Sequence, residues 1–110
     1  MKFKKTNKST IGTSLSGTFT GSYYELVEIL GEPNSNGDAC KISTKWILED
    51  VYGNVVTIYD YKATELYSKE LPTVEEFREL PEYEWHVGSK NKEVAQNLIG
   101  HLLYKSSSIR

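Results

Sequence analysis

The sequence predicts an α+β domain: a mainly antiparallel sheet of about four strands in β-α-β-β-β-α order, with two helices on one face. Three observations point there. Residues 10–20, 41–49 and 55–62 alternate with a period of two, as half-buried strands do. Leu26, Ile29 and Leu30, and later Val94, Ala95, Leu98, Ile99, Leu102 and Leu103, recur at helical spacing. Between these segments lie short turn-forming stretches with no internal repeat and no linker.

The first strand is TIGTSLSGTFT (10–20), whose second face is small and rich in hydroxyls. Ser22 opens a helix, because Ser22-x-x-Glu25 has the spacing of a capping box. Gly31 suits its C-cap, Pro33 prevents continuation, and NSNGD (34–38) is turn chemistry. Strands over 41–49 and 55–62 form a hairpin across Tyr52-Gly53-Asn54. Pro72-Thr73 followed by Glu75, Glu76 and Phe77 reads as one helical turn ended by Pro81. EYEWHVG (82–88) is a short strand, and Ser89 or Asn91 caps the final helix.

At 110 residues the chain has room for one core. The expected division is a disordered basic tail over 1–9, one α+β domain over 10–105 and a frayed end over 106–110. Thirteen basic and fifteen acidic residues give a formal charge of -2, which argues against a duplex nucleic-acid binder. No apolar core follows the basic start and no apolar run approaches the ~20 residues of a membrane span, so the cytoplasm is the expected compartment. The single cysteine, Cys40, supports neither an intrachain disulfide nor a metal site of ordinary spacing.

If both helices cover one face, the apolar sides of the strands must turn toward them: Ile11, Leu15, Phe19, Ile42, Trp46, Leu48, Val56, Ile58, Trp85 and Val87. The pleat then presents Ser14, Ser16, Thr18, Ser43, Lys45, Thr57, Tyr59, Tyr61, Glu84 and His86 on the other side. Such groups can stack on a base, hydrogen-bond its edges and neutralise a phosphate. They equally suit a subunit interface, or a sheet face left wet. Trp46 and Trp85 run in phase with the apolar residues, which favours core packing; His86 is out of phase and expected to be exposed, as is His101. Asp60 and Lys62 are expected at the rim as an ion pair.

No catalytic group and no metal ligand is expected. The two histidines are isolated, GTSLSG (12–17) lacks the lysine and helix start of a phosphate loop, and the Glu49/Asp50 and Glu75/Glu76 pairs flank a turn and open a helix. No cofactor is called for.

Three stretches form a recognisable set: YYELVEILGEPN (23–34), TKWILED with VVTIYDYK (44–62), and EWHVGSKNKEVAQNLI (84–99). They resemble a widespread group of small bacteriophage proteins in which "LV..FGEPN", "W…TIYDYK" and "EWH[IV]GG" elements follow in this order. The resemblance covers residues 10 to 103. It departs at Ser89, where a second glycine is expected, and over 63–82. The group includes the anti-CBASS sponges, viral proteins that bind a cyclic oligonucleotide immune signal without cleaving it. Membership implies a cyclic-nucleotide ligand, a homo-oligomer with sites near subunit contacts, no catalysis, and action in the cytoplasm of an infected bacterial host. Carried by residue, it supports Tyr59, Asp60, Tyr61 and Lys62, with Trp85, His86 and Gly88. The expected ligand-binding set is thus Tyr59, Tyr61, Lys62, Trp85 and His86, joined on strand geometry by Ser14, Thr18 and Lys45. The alternative is a protein-binding inhibitor of a host defence nuclease or other enzyme, anti-CRISPR-like, whose glutamates (Glu65, Glu70, Glu75, Glu76, Glu79, Glu82 and Glu84) mimic nucleic-acid charge. A small structural or replication accessory protein is a third reading.

Overall fold

The central strands and the two longer helices form where the apolar periods place them. A computed structural model, which describes residues 2–109, is α+β, with a five-stranded antiparallel sheet and three helices among those residues. The elements are β1 (Phe3–Lys5), β2 (Ser14–Gly21), α1 (Tyr23–Leu30), β3 (Lys45–Asp50), β4 (Val55–Tyr59), α2 (Val74–Arg78), β5 (Tyr83–Ser89) and α3 (Lys92–Ile109). Strand order across the sheet is β1-β3-β4-β5-β2.

The fifth strand is a correction to the expected tail. Phe3, Lys4 and Lys5 pair with Asp50, Glu49 and Leu48 of β3. The pairing is held by side chains that periodicity does not report. Asn34 donates to the carbonyls of Thr6 and Ile47 and accepts from the Ile47 amide, while Lys8 meets Glu49 at 2.6 Å. At the other end, α3 continues through the stretch expected to fray, and buried Ser106 donates from its hydroxyl to Glu25 of α1.

The capping box predicted at Ser22 forms with both reciprocal bonds, and a second one forms at Thr73 and Glu76. Gly31 closes α1 at φ +82° and ψ -173°, a region essentially reserved to glycine that costs a residue with a Cβ roughly 1–3 kcal/mol. Asn91, just before α3, accepts from the Glu93 amide at 2.8 Å.

The helices lie on one side of the sheet. Phe19, Trp46, Leu48, Val56, Ile58, Trp85 and Val87 face them and are buried with Leu26, Phe77, Leu98 and Leu102. At the centre is a chain of rings: Tyr23 lies tilted against Trp46, and Trp46, Phe77 and Tyr83 each meet Trp85 edge-on. Each indole N–H is satisfied by a carbonyl, Trp46 by Gly31 and Trp85 by Gly21. Truncating either tryptophan to alanine removes both the area and a well-filled volume, typically about 3–5 kcal/mol.

Three residues assigned to this face lie elsewhere. A β-bulge between Leu15 and Gly17 reverses the phase of β2, so Leu15 pairs with Gly88 on the opposite face, 57% exposed. Ile11 is 83% exposed in the turn before β2, and Ile42 lies in the loop before β3, which begins at Lys45 rather than Lys41. His101, expected to face solvent, is half-buried with its ring 5.4 Å from that of Phe3.

Asp60 is the largest departure. It is fully buried rather than at a rim. One carboxylate oxygen accepts from the amides of Ser43 (2.9 Å) and Thr44 (2.8 Å), the other from the Ser43 hydroxyl (2.7 Å). Its own amide donates to the Thr44 carbonyl. Arg78 extends this network, donating to the Thr44 hydroxyl while lying over the Tyr23 ring.

Two predictions follow from these carboxylates. Asp60→Ala leaves two amides and a hydroxyl unpaired in the interior, a loss of about 3 kcal/mol or more; urea denaturation measures it as a lower midpoint. Asp50 is the second group. Burial pushes its carboxyl up, but bonds from the Asn54 side chain and from the Asn54 and Tyr52 amides outweigh this and hold it below the ordinary value. A carboxyl depressed in the folded state contributes stability above its unfolded pKa of about 4, and that contribution is lost as pH falls through the folded value. Thermal melts should therefore fall below about pH 4, and Asp50→Asn should melt lower at pH 7 with a shallower acid decline.

Candidate ligand-binding face

The registers of β3, β4, β5 and β2 bring one residue from each into line. Lys45 pairs with Tyr59, Tyr59 with His86, and His86 with Thr18. All four project from the face that no helix covers, because they alternate with Trp46, Ile58, Trp85 and Phe19. Three inter-strand spacings make this row about 14 Å long.

The row is built by contacts along it. The Tyr59 and His86 rings stack at 5.6 Å with an interplanar angle of 20°. The Lys45 ammonium lies 5.6 Å from the centre of the Tyr59 ring, and Tyr61 meets His86 edge-on at 5.8 Å. Burial pulls the Lys45 pKa down, opposed by the Asp38 carboxylate of the preceding loop. Burial pushes the Tyr59 phenol up, with a further contribution from Tyr61. The upward shift keeps the Tyr59 hydroxyl protonated and able to donate. The Nδ1 atom of His86 is buried with no hydrogen-bond partner.

The next row on this face is Ile47, Thr57, Gly88 and Leu15. Thr57 and Gly88 are buried although no helix lies above them. A Cβ at Gly88 would stand 3.0 Å from the Thr57 hydroxyl, 3.3 Å from the Ser14 carbonyl and 3.5 Å from the Tyr59 ring. The missing Cβ makes room for the Thr57 hydroxyl and the Ser14 carbonyl, while the Tyr59 ring stands at ordinary contact distance.

Beyond β4 the chain is held at three successive residues. Asp60 is bound to Ser43 and Thr44, the Tyr61 amide donates to the Tyr83 hydroxyl at 3.1 Å, and the Lys62 amide donates to the Lys41 carbonyl at 2.6 Å. Lys62 has a left-handed backbone, φ +55°. Its ammonium lies 5.2 Å from the centre of the Tyr61 ring and 5.1 Å from that of Tyr67. No carboxylate pairs with Lys45 or Lys62 among the described residues, whereas Lys4 and Lys8 both meet Glu49.

Six of the eight predicted site residues are thus gathered: Thr18, Lys45, Tyr59, Tyr61, Lys62 and His86. Two are not. Trp85 is fully buried in the core, with its indole N–H on the Gly21 carbonyl, and cannot touch a ligand on the far face. Ser14 is shifted by the bulge: it pairs with Ser89, three residues along β5 from His86 or about 10 Å away, on the opposite phase. Ser43, also expected on this face, is buried in the loop against Asp60. Tyr67 and the Asp38 loop were missed, since neither lies in a periodic segment.

The row offers ring faces, hydroxyls and a lysine whose ammonium lies over a ring, which suit a planar, anionic ligand. Among the described residues no group of three His, Cys, Asp or Glu side chains is placed to hold a metal ion. No helix among them is long and apolar enough to cross a membrane. Open concavities of about 570 and 650 Å³ lie elsewhere, where β1 and β3 meet; both are lined by Lys4 and Glu49, which pair with one another. Comparison of the sequence with protein-family models and with curated proteins finds no match.

Gly88→Ala tests the row. The added methyl must displace the Thr57 hydroxyl or the Ser14 carbonyl, at a cost of roughly 1–3 kcal/mol. Proton NMR should show shifted Thr57 and Ser14 signals beside the row, with the core tryptophan signals unchanged.

Proposed function

We propose that this protein binds a cyclic nucleotide across the Lys45–Tyr59–His86–Thr18 row and sequesters it uncleaved, as a bacteriophage anti-defence protein. One observation carries the reading: stacked Tyr59 and His86 lie beside a lysine that has no carboxylate partner among the described residues. Rings supply a stacking platform for a base, and the free ammonium supplies charge for a phosphate. The likeness of the TIYDYK and EWHVG segments to phage sponges supports the cyclic ligand, the phage setting and the bacterial cytoplasm as the place of action. Sequestration fits His86, which stacks on tyrosine instead of bonding to a hydroxyl and a carboxylate as a catalytic base would. Self-association belongs to the same proposal, with Leu15 and Ile47 beside the row as apolar surface for a second copy.

A second reading, inhibition of a host nuclease by charge mimicry, is favoured by one feature. All seven glutamates from Glu65 to Glu84 are exposed, in α2, in the loops on either side of it and at the start of β5.

Calorimetric titration against cyclic di- and trinucleotides decides. Tight binding of at least one is expected, with the nucleotide recovered intact after the protein is denatured. Tyr59→Ala and Tyr61→Ala should each weaken it roughly 10- to 100-fold, the worth of one base–aromatic stack, with unchanged circular dichroism. Folded protein that binds none of them rejects the proposal. A stoichiometric host protein captured in its place, and lost on Glu75→Gln with Glu79→Gln, supports the inhibitor.

A further inference from the structure

We infer that Lys62, Tyr61 and Tyr67 form a second anion subsite, a lysine held between two tyrosine rings, that takes a phosphoryl group of the ligand beyond the end of β4. The inference rests on the binding reading above and extends the site off the sheet onto the segment after it.

Three observations converge. First, Lys62 occupies the left-handed region, where glycine or asparagine is at ease and a long side chain is not. A turn that needed only this backbone would be better served by glycine. Strain of this kind persists where the side chain is needed and the surroundings enforce it, and here they do: the amides of Tyr61 and Lys62 are both bonded, to Tyr83 and Lys41. Second, the conformation directs the ammonium to within 5.2 Å of one ring centre and 5.1 Å of another. Ring faces orient a cation without cancelling its charge, whereas a carboxylate would cancel it. Third, the subsite is continuous with the row, because Tyr61 touches both Lys62 and His86. A ligand stacked along the row reaches Lys45 near one tyrosine and Lys62 near another, so the site is matched to a ligand with more than one anionic group.

The experiment compares the parent chain with Lys62→Gly, Lys62→Arg and Tyr67→Leu, in thermal melts without ligand and in titrations with each cyclic nucleotide that binds the parent. Lys62→Gly should melt about 3 °C higher, since strain is relieved, and bind at least tenfold more weakly. Lys62→Arg should hold affinity within about threefold, and Tyr67→Leu should lose roughly three- to tenfold. Affinity unchanged in Lys62→Gly would make the left-handed lysine a turn residue and overturn the subsite, while the cyclic-nucleotide reading stood. If the parent binds no cyclic nucleotide, that reading fails, and inorganic pyrophosphate becomes the probe. NMR shifts at the Tyr61 and Tyr67 rings, absent in Lys62→Gly, would then sustain the subsite, and their absence would end it.

Discussion

The buried carboxylate of Asp60 fixes more of this molecule than any other single group. It terminates β4 by bonding the backbone of the loop that leads into β3, so two strand ends are set by one side chain. Lys45 begins β3 one residue after Thr44, and Tyr61 and Lys62 follow Asp60 directly. The cation at one end of the row and the aromatic–cation pair beyond its other side are therefore placed by the same bonds. A carboxylate taken out of water is costly unless its lone pairs are met, and three protein donors meet them here. The interior position makes the geometry stiff. A solvated ion pair at a rim would have left the Tyr61–Lys62 segment free to move.

The aromatic core supports this arrangement from beneath. Because Trp46, Ile58, Trp85 and Phe19 are each locked in the core, the residue beside each must point the other way. Lys45, Tyr59, His86 and Thr18 are those neighbours. The row is in effect the reverse side of the core, and its precision derives from core packing. That relation also explains why Trp85 takes no part in the row despite lying beside its histidine.

Much of this was legible in the sequence, and the failures share a cause. Strand alternation gave the central strands, the two main helices and the division of faces, because burial on one side imposes a period of two and helical packing one of 3.6. What period cannot report is a break in phase or a bond between distant segments. The bulge in β2 moved Leu15 and Ser14 without any proline or charge to announce it. The strand at Phe3–Lys5 has too few residues for a pattern and depends on Asn34 and Glu49, dozens of residues away. Asp60 reads as polar and exposed until its donors in the loop are known, and Tyr67 sits in a segment with no period at all. The row itself was visible because each member sits in phase on its own strand; of the subsite beyond it, the TIYDYK resemblance supplied Tyr61 and Lys62 but not Tyr67.

Charge is partitioned in a way that the net value of -2 conceals. The lysines of the amino-terminal edge are engaged with protein oxygens: Lys4 and Lys8 with Glu49, and Lys5 with the Glu32 carbonyl. Lys45 and Lys62 have ring faces in their place. Glutamates crowd the exposed surface around α2. A duplex, with a charge every ~1.7 Å along its axis, would meet those glutamates as well as the lysines and gain little. A compact anion on the proposed site would meet Lys45 and Lys62 at short range, where screening over a Debye length of about 8 Å matters least. The overall acidity that disfavours polymeric nucleic acid is therefore compatible with the small anionic ligand proposed for this face.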